Sequence, residues 1–158
     1  MNYKIRAWKS NEIEILRIFL YEAIFVPDGM EPPPFEIIDQ PELQVYVAGF
    51  GTHKGDICYV AECDGTIVGA AWVRIMNDYG HIDQETPSFA ISLLKEYRHH
   101  GIGTELMKRT LLKIHNQGYK RASLSVQKEN PAFRMYQRLG FRVVNETAEE
   151  YIMIYNLE

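Results

Sequence analysis

A basic turn with two glycines is the part of this sequence best suited to hold an anion. The turn, called the phosphate turn below, consists of Arg98, His99, His100, Gly101, Ile102, Gly103 and Thr104. The first amides of a helix have no intrahelical acceptors, and the helix dipole adds positive potential there. Glycine lets a backbone approach a ligand closely because it carries no Cβ. Since an apolar segment precedes the turn and a helical pattern follows it, phosphate or pyrophosphate binding is predicted.

Two familiar phosphate motifs do not fit this turn. A P-loop requires lysine directly after its second glycine, whereas Thr104 follows Gly103 here. A dinucleotide-binding fingerprint requires a third glycine, and Leu106 occupies that position. On these residues alone, a helix start that merely contains two glycines remains the alternative to an anion site.

The elements that position the turn are predicted from hydrophobic periodicity and from the placement of glycine and proline. Alternation predicts strands over residues 3–8, 57–62, 66–76, 88–94, 122–126, 141–145 and 151–157. Helical spacing predicts a first helix capped by Ser10 or Asn11 and a second helix from Pro41 to residues 49–51. It also predicts helices over residues 101–117 and 131–139. This order indicates one α/β domain over residues 1–158, with a mixed sheet covered by helices.

Two segments, in this order along the chain, resemble signatures of the GNAT superfamily of N-acetyltransferases. The phosphate turn matches the family pattern Arg/Gln-x-x-Gly-x-Gly/Ala in full. The segment from Asn130 to Phe141 resembles Asn-Pro-Ala-x-x-Leu-Tyr-x-x-Leu-Gly-Phe, with Met135 in place of the first leucine. The resemblance implies an α/β (α+β) GNAT fold, in which a mixed, mostly antiparallel sheet of about six to seven strands is flanked by about four helices.

The resemblance also implies how acetyl-CoA, the expected acetyl donor, is held. The backbone of Ile91 and Leu93 is expected to pair with the pantetheine arm as an added strand would. The phosphate turn is expected to hold the pyrophosphate through its backbone amides and Arg98. Asn130 and Phe133 are expected to flank the coenzyme further along.

The chemistry implied by the resemblance is amide formation from a thioester. Tyr136 is expected to protonate the leaving thiolate, which makes it the candidate catalytic residue. The amide of Leu93 is expected to donate a hydrogen bond to the carbonyl oxygen, which becomes negative in the transition state. Neither motif contains a cysteine, so direct transfer in a ternary complex is expected instead of an acyl-cysteine intermediate.

The base that removes the proton from the amine is not identified by the sequence. Many family members carry a glutamate early in the fourth strand, and that position falls near Pro87 and Ser88 here. Neither residue is a base. Glu85, Asp83, His81 and an ordered water molecule therefore remain alternatives.

Charge and hydropathy limit the classes of partner. The net charge of −4 offers no basic face for nucleic acid, and no segment approaches the ~20 apolar residues of a membrane span. Cys58 and Cys63 lie in one predicted strand and point to opposite faces, so no shared metal ion or disulfide is expected. Free thiols and an N-terminus without a signal-peptide pattern favour the cytoplasm.

Three functions of different class remain open. The first is transfer of acetyl from acetyl-CoA to a primary amine of a small molecule or peptide. Its acceptor side is expected at the proline-rich loop of residues 32–34, the second helix and the loop of residues 77–87. The second is a non-catalytic acyl-CoA sensor with the same fold, which the missing strand glutamate favours and Tyr136 disfavours. The third is a structural or interaction protein in which both motifs are scaffold only. A homodimer is compatible with each of these functions.

Overall fold

A single mixed sheet organises the chain in the computed structural model, which describes residues 2–158. Within that range seven strands lie in the order β1-β2-β3-β4-β5-β7-β6. Their bounds are Lys4–Ala7 (β1), Ile57–Cys63 (β2), Thr66–Arg74 (β3), Ser88–Leu93 (β4), Arg121–Gln127 (β5), Arg142–Glu146 (β6) and Glu150–Asn156 (β7). Neighbouring strands are antiparallel except β4 and β5, which are parallel. The predicted mixed and mostly antiparallel sheet is confirmed.

Four α-helices cover this sheet within residues 2–158. Their bounds are Ile13–Glu22 (α1), Pro41–Gln44 (α2), Ile102–Asn116 (α3) and Ala132–Leu139 (α4). Short 3₁₀ turns cover Phe35–Asp39 and Lys95–Tyr97. The helices over α3 and α4 were predicted to within a residue or two, and Gly118 and Gly140 end them with positive φ values of 91° and 116°.

The sequence placed the ends of the first two helices wrongly. The capping residue of helix α1 is Glu12, not Ser10 or Asn11. The reason is that the Glu12 carboxylate accepts hydrogen bonds from the Arg6 guanidinium and the Lys9 amide, which fixes the chain ahead of the helix.

Helix α2 ends at Gln44, well before residues 49–51. The carbonyls of Val45 and Ala48 accept hydrogen bonds from Arg74 Nη1 at 3.1 and 2.7 Å. This segment is therefore held by a side chain of β3, a long-range contact that local helical spacing does not reveal.

The two faces of the sheet carry separate apolar cores. Helix α1 packs Leu16 and Phe19 on Val60 and Trp72 on one face. Helices α3 and α4 cover the other face, where the buried residues include Phe89, Met107, Leu111, Leu124 and Tyr136. Cys58 and Cys63 lie in cores on opposite faces, as predicted.

Candidate active site

An opening between β4 and β5 lies at the centre of the candidate site. The two strands pair at Ser88 and Ser123, and within residues 2–158 they form no other residue pair with each other. The hydroxyls of these serines are 3.1 Å apart, and Ser123 Oγ donates to Gly80 O at 2.7 Å. Past this point the strands separate, so a ligand has access to the edge of β4.

The backbone groups of Ile91 and Leu93 face this opening. The Leu94 amide donates to Val68 O of β3 at 2.8 Å, and hydrogen-bonding direction alternates along a strand. Ile91 and Leu93 therefore direct their amides and carbonyls away from β3 and toward β5. At the closed end, Pro87 O accepts from the Ser123 amide at 2.9 Å, which agrees with this alternation. An exposed strand edge of this kind can pair with an extended ligand.

The phosphate turn lies at the far end of the same edge. Arg98, His99, His100 and Gly101 are exposed, whereas the Ile102 side chain is buried in the core. Ile102 thus offers a ligand only its backbone.

Two residues of the phosphate turn adopt left-handed backbone conformations. Gly101 does so with φ of 83°, and His99 with φ of 65°, which is unusual for a residue with a side chain. Helix α3 starts here, and its first hydrogen bond runs from the Glu105 amide to Gly101 O at 3.2 Å. The amides of Ile102, Gly103 and Thr104 precede that bond and are available to an anion.

Arg98 links the phosphate turn to the strand edge. Its Nε donates to Leu93 O at 3.1 Å, which leaves the Leu93 amide for a ligand. A Cβ at Gly103 would lie 3.5 Å from Met135 Sδ and 3.6 Å from Leu93 Cδ1. The start of α3, the end of β4 and α4 therefore meet closely at Gly103.

Helix α4 supplies the candidate acid. Tyr136 is 8% exposed and packs near Phe141, with ring centroids 6.0 Å apart. Burial raises the pKa of Tyr136, so the side chain stays a phenol with a proton to give. Asn130 Oδ1 accepts a hydrogen bond from the Ala132 amide at 3.0 Å, and Phe133 stacks near Tyr151 at 4.8 Å. The Asn130 side chain thus satisfies the first backbone amide of α4.

The bases suggested by the sequence are poorly placed or already paired. The Asp83 carboxylate, 39% exposed, forms an ion pair with Arg121. The Thr86 hydroxyl, the Glu85 amide and Arg121 lower the pKa of Asp83, which weakens it as a base. His81 Nδ1 lies 2.8 Å from Met76 O, and Glu85 is exposed.

A different carboxylate, missed in the sequence, lies beside the start of β4. Asp78 sits in the loop between β3 and β4, close to the hydroxyls of Ser88 and Tyr46. Its Oδ1 is shielded from solvent and has no hydrogen-bond partner among residues 2–158. Burial raises the pKa of Asp78, and the two hydroxyls and the Gly80 amide oppose this rise only in part. The signal available in the sequence was weak: one acidic residue upstream of Ser88 in a polar loop.

Comparison with known proteins identifies the family. A model of the GNAT acetyltransferase domain matches residues 54–143, which include β4, the phosphate turn and α4. The chain belongs to the GNAT superfamily of N-acetyltransferases. An N-alpha-acetyltransferase of Sulfurisphaera tokodaii is 31% identical over 160 residues, covering 94% of this chain and 86% of that protein.

Solved GNAT structures share the fold over nearly the whole chain. The PaiA N-acetyltransferase of Thermoplasma acidophilum in complex with coenzyme A has a TM-score of 0.73 at 19% identity and covers 99% of each chain. A Salmonella typhimurium protein with its cofactor acetyl-CoA has a TM-score of 0.72 at 16% identity, covering 100% of this chain and 95% of that one.

A groove lies between the α1–α2 loop, the β5–α4 loop and the β6–β7 turn. Its volume is about 380 Å³. The lining residues are Phe25, Pro27, Gln127, Lys128, Glu129, Ala148 and Glu149. The proline-rich loop beside it is tied to α1, because the Tyr21 hydroxyl donates to Pro33 O at 2.5 Å.

Within residues 2–158 the GNAT chain contains no group of three His, Cys, Asp or Glu side chains placed to hold a metal ion. None of the helices in that range is both long and apolar enough to cross a membrane.

Proposed function

We propose that this GNAT protein transfers the acetyl group of acetyl-CoA to a primary amine by direct attack in a ternary complex. The observation that carries the proposal is the strand edge of β4. Ile91 and Leu93 turn their backbone groups into the opening, and the phosphate turn lies at the end of that edge. A donor with an extended amide-bearing arm and a pyrophosphate matches both features.

Acetyl-CoA is held in this scheme by backbone groups along its length. The pantetheine amides pair with Ile91 and Leu93, and the pyrophosphate accepts hydrogen bonds from the first amides of α3. Arg98, which is bonded to Leu93 O through Nε, keeps its remaining guanidinium N–H groups for a phosphate oxygen. Asn130 and Phe133 lie on the α4 side of the coenzyme.

The reaction needs a polarised carbonyl and a protonated leaving group. One of the β4 amides that point into the opening donates to the thioester oxygen as it becomes negative. Tyr136 donates its proton to the sulfur when the C–S bond breaks. The raised pKa of Tyr136 keeps it protonated before each turnover.

The acceptor enters in this scheme through the groove between the α1–α2 loop and the β6–β7 turn. Its walls combine apolar Phe25 and Pro27 with two carboxylates and one lysine, so acidic groups outnumber basic ones, which suits a cationic amine on a longer molecule. The similarity to an N-alpha-acetyltransferase makes the α-amino group of a polypeptide the first acceptor class to test. We propose the cytoplasm as the location, which the free thiols of Cys58 and Cys63 favour.

The proposal is tested in two steps on the full chain. Calorimetric titration with acetyl-CoA measures donor binding, and release of free thiol is then followed with peptides, polyamines and small amines. We expect donor binding and turnover with at least one amine class. Absence of binding at millimolar acetyl-CoA contradicts the proposal outright. Binding without thiol release for any amine supports the acyl-CoA sensor instead.

A further inference from the structure

We propose that Asp78 takes the proton from the acceptor ammonium, and this inference rests on the proposed acetyl transfer. The fourth strand begins at Ser88, which is not a base, and a carboxylate of the preceding loop, Asp78, lies beside it. Asp78 would thus do from the loop what a strand residue at Ser88 cannot do.

The position of Asp78 follows from contacts that fix its loop on the sheet. Ser123 Oγ holds Gly80 O at 2.7 Å, and a Cβ at Gly80 would lie 3.0 Å from the Ser125 amide nitrogen. The loop therefore rests directly on β5. Only a glycine allows this close approach of two backbones.

Asp78 and Tyr136 lie on opposite faces of the sheet. Ser88 and Ser92 alternate on one face, where Ser92 Oγ donates to Phe19 O of α1 at 2.6 Å. Asp78 lies beside Ser88 on that face, whereas Tyr136 belongs to the core beneath α3 and α4. An amine that arrives from the α1 face meets Asp78, and the sulfur on the α4 face meets Tyr136.

The surroundings of Asp78 are suited to accepting a proton. Its neighbours are the hydroxyls of Tyr46 and Ser88, and Oδ1 is buried without a partner among residues 2–158. Such a carboxylate gains from a proton or a cationic ligand. The indole of Trp72 donates to Tyr46 O at 3.1 Å, which holds the Tyr46 segment in place.

The titratable groups around Asp78 add negative charge or none. Burial and the charge of Asp78 raise the pKa of Tyr46, so Tyr46 remains a neutral phenol. Burial, Glu42 and Glu150 raise the pKa of Tyr79, and burial with Glu149 raises the pKa of Glu150. His81 is bonded to Met76 O. These groups together favour an ammonium ion at the mouth of the opening.

The proton balance closes in one turnover. Asp78 takes a proton from the ammonium, and the neutral amine forms a C–N bond with the acetyl carbonyl. The C–S bond then breaks with its electron pair on sulfur, and Tyr136 donates a proton to that sulfur. The nitrogen gives up its second proton, which restores Tyr136, and Asp78 releases its proton to solvent. The products are the acetylated amine, free thiol and one proton.

The test compares Asp78→Asn with wild type in the full chain, with the best amine from the acceptor panel. We expect the acetyl-CoA dissociation constant to stay within about twofold and kcat/KM at pH 7 to fall by about 10²-fold or more. The deficit should shrink toward pH 10, because more of the amine is then already neutral. Asp78→Glu should recover part of the activity, and Asp64→Asn, in the β2–β3 turn, should behave as wild type.

Two further measurements keep the outcomes separate. In wild type, the ¹³C carboxyl signal of Asp78, assigned by its absence from Asp78→Asn, should titrate at a pH above the ordinary aspartate range. A residue that only supports the structure need not do so. Turnover in Asp78→Asn equal to wild type, or a deficit that is the same at every pH, overturns the assignment while acetyl transfer stands. If the wild-type protein acetylates no amine, both proposals are contradicted.

Discussion

Ser88 and Ser123 share a hydrogen bond of 3.1 Å at the pair where β4 and β5 last touch. This contact closes one end of the opening, and Ser123 also holds the loop that carries Asp78 through Gly80 O. Both serines are buried. A single pair of small hydroxyl groups thus sets where the donor edge begins and where the proposed base sits.

Removal of the Ser123 hydroxyl should impair catalysis more than donor binding. Ser123→Ala leaves Gly80 O without its buried donor, at a cost of about 1–3 kcal/mol in the free energy of unfolding. We expect lower kcat with an acetyl-CoA affinity within about threefold of wild type, since the phosphate turn is at the other end of β4. Thr110→Ala, which removes another buried hydroxyl but one within α3, is the control. Equal loss of donor affinity and kcat would contradict this role.

Alanine at Gly101 should weaken donor binding, whereas alanine at Gly118 should not. Both glycines have left-handed backbones with open space around a new Cβ, one at each end of α3. Each substitution should therefore cost about 1–2 kcal/mol of stability through backbone strain alone. Only Gly101→Ala also disturbs the amides of the phosphate turn. Calorimetry should show about tenfold weaker acetyl-CoA binding for Gly101→Ala, and equal affinities in the two variants would refute the anion site.

Removal of the Tyr136 hydroxyl should slow the chemical step. Tyr136→Phe keeps the packing against Phe141, so acetyl-CoA affinity and melting temperature should change little. We expect kcat to fall by about 10²-fold or more with the loss of the proton donor. Because burial raises the pKa of Tyr136 above 10.0, wild-type kcat should show no alkaline decline from this group below pH 10. Undiminished turnover in Tyr136→Phe would exclude the acid role.

The Asp78 carboxylate should reduce stability at neutral pH. Its folded pKa is raised above the ordinary value of 3.8, so its stabilising contribution is present below that value and is lost as pH rises through the folded pKa. Asp78→Asn should therefore melt about 2–4 °C higher than wild type at pH 7–8. The difference should shrink on acidification to about pH 4, and a destabilised variant at neutral pH would contradict the burial argument.

Loss of the ion pair between Arg74 and Asp56 should lower stability and raise the KM for the acceptor amine. Both side chains are almost fully buried, at 2% and 1% exposure, and are 3.0 Å apart. Asp56→Asn leaves the guanidinium without its counterion and should cost about 3–5 kcal/mol of stability. Arg74 also holds Val45 and Ala48, so the acceptor KM should rise while acetyl-CoA affinity is kept. Steady-state kinetics with both substrates varied separates the acceptor KM from the acetyl-CoA affinity. A change in acetyl-CoA affinity alone would contradict this prediction.

The sequence was sufficient for elements defined by local signals. Helix α3 carries its apolar stripe and a glycine at each end, and β4 shows the apolar run of a strand buried on both faces. The two motifs lie on the elements where they were expected. Each depends on residues close together in the chain, which is why periodicity and motif spacing were enough.

Features that depend on distant partners were missed. Helix α2 was predicted too long because the carbonyls of Val45 and Ala48, which follow it, accept hydrogen bonds from Arg74 of β3. Asp78 looked like an ordinary loop carboxylate because Tyr46 and Ser88, which bury it, come from other elements. Asp83 and Glu85 were considered as bases on closeness in sequence, and the fold gives Asp83 an arginine partner instead.

Strand β3 bonds both to β4, the edge proposed to hold the donor, and to residues 45–48. Its backbone pairs with β4, while Trp72 and Arg74 secure residues 45–48 through main-chain carbonyls. Main-chain carbonyls are the same whatever side chain a residue bears. The attachment of residues 45–48 to the sheet therefore does not depend on which side chains those residues carry. The burial of Tyr46 and Val47 in the core restricts their side chains separately, through packing.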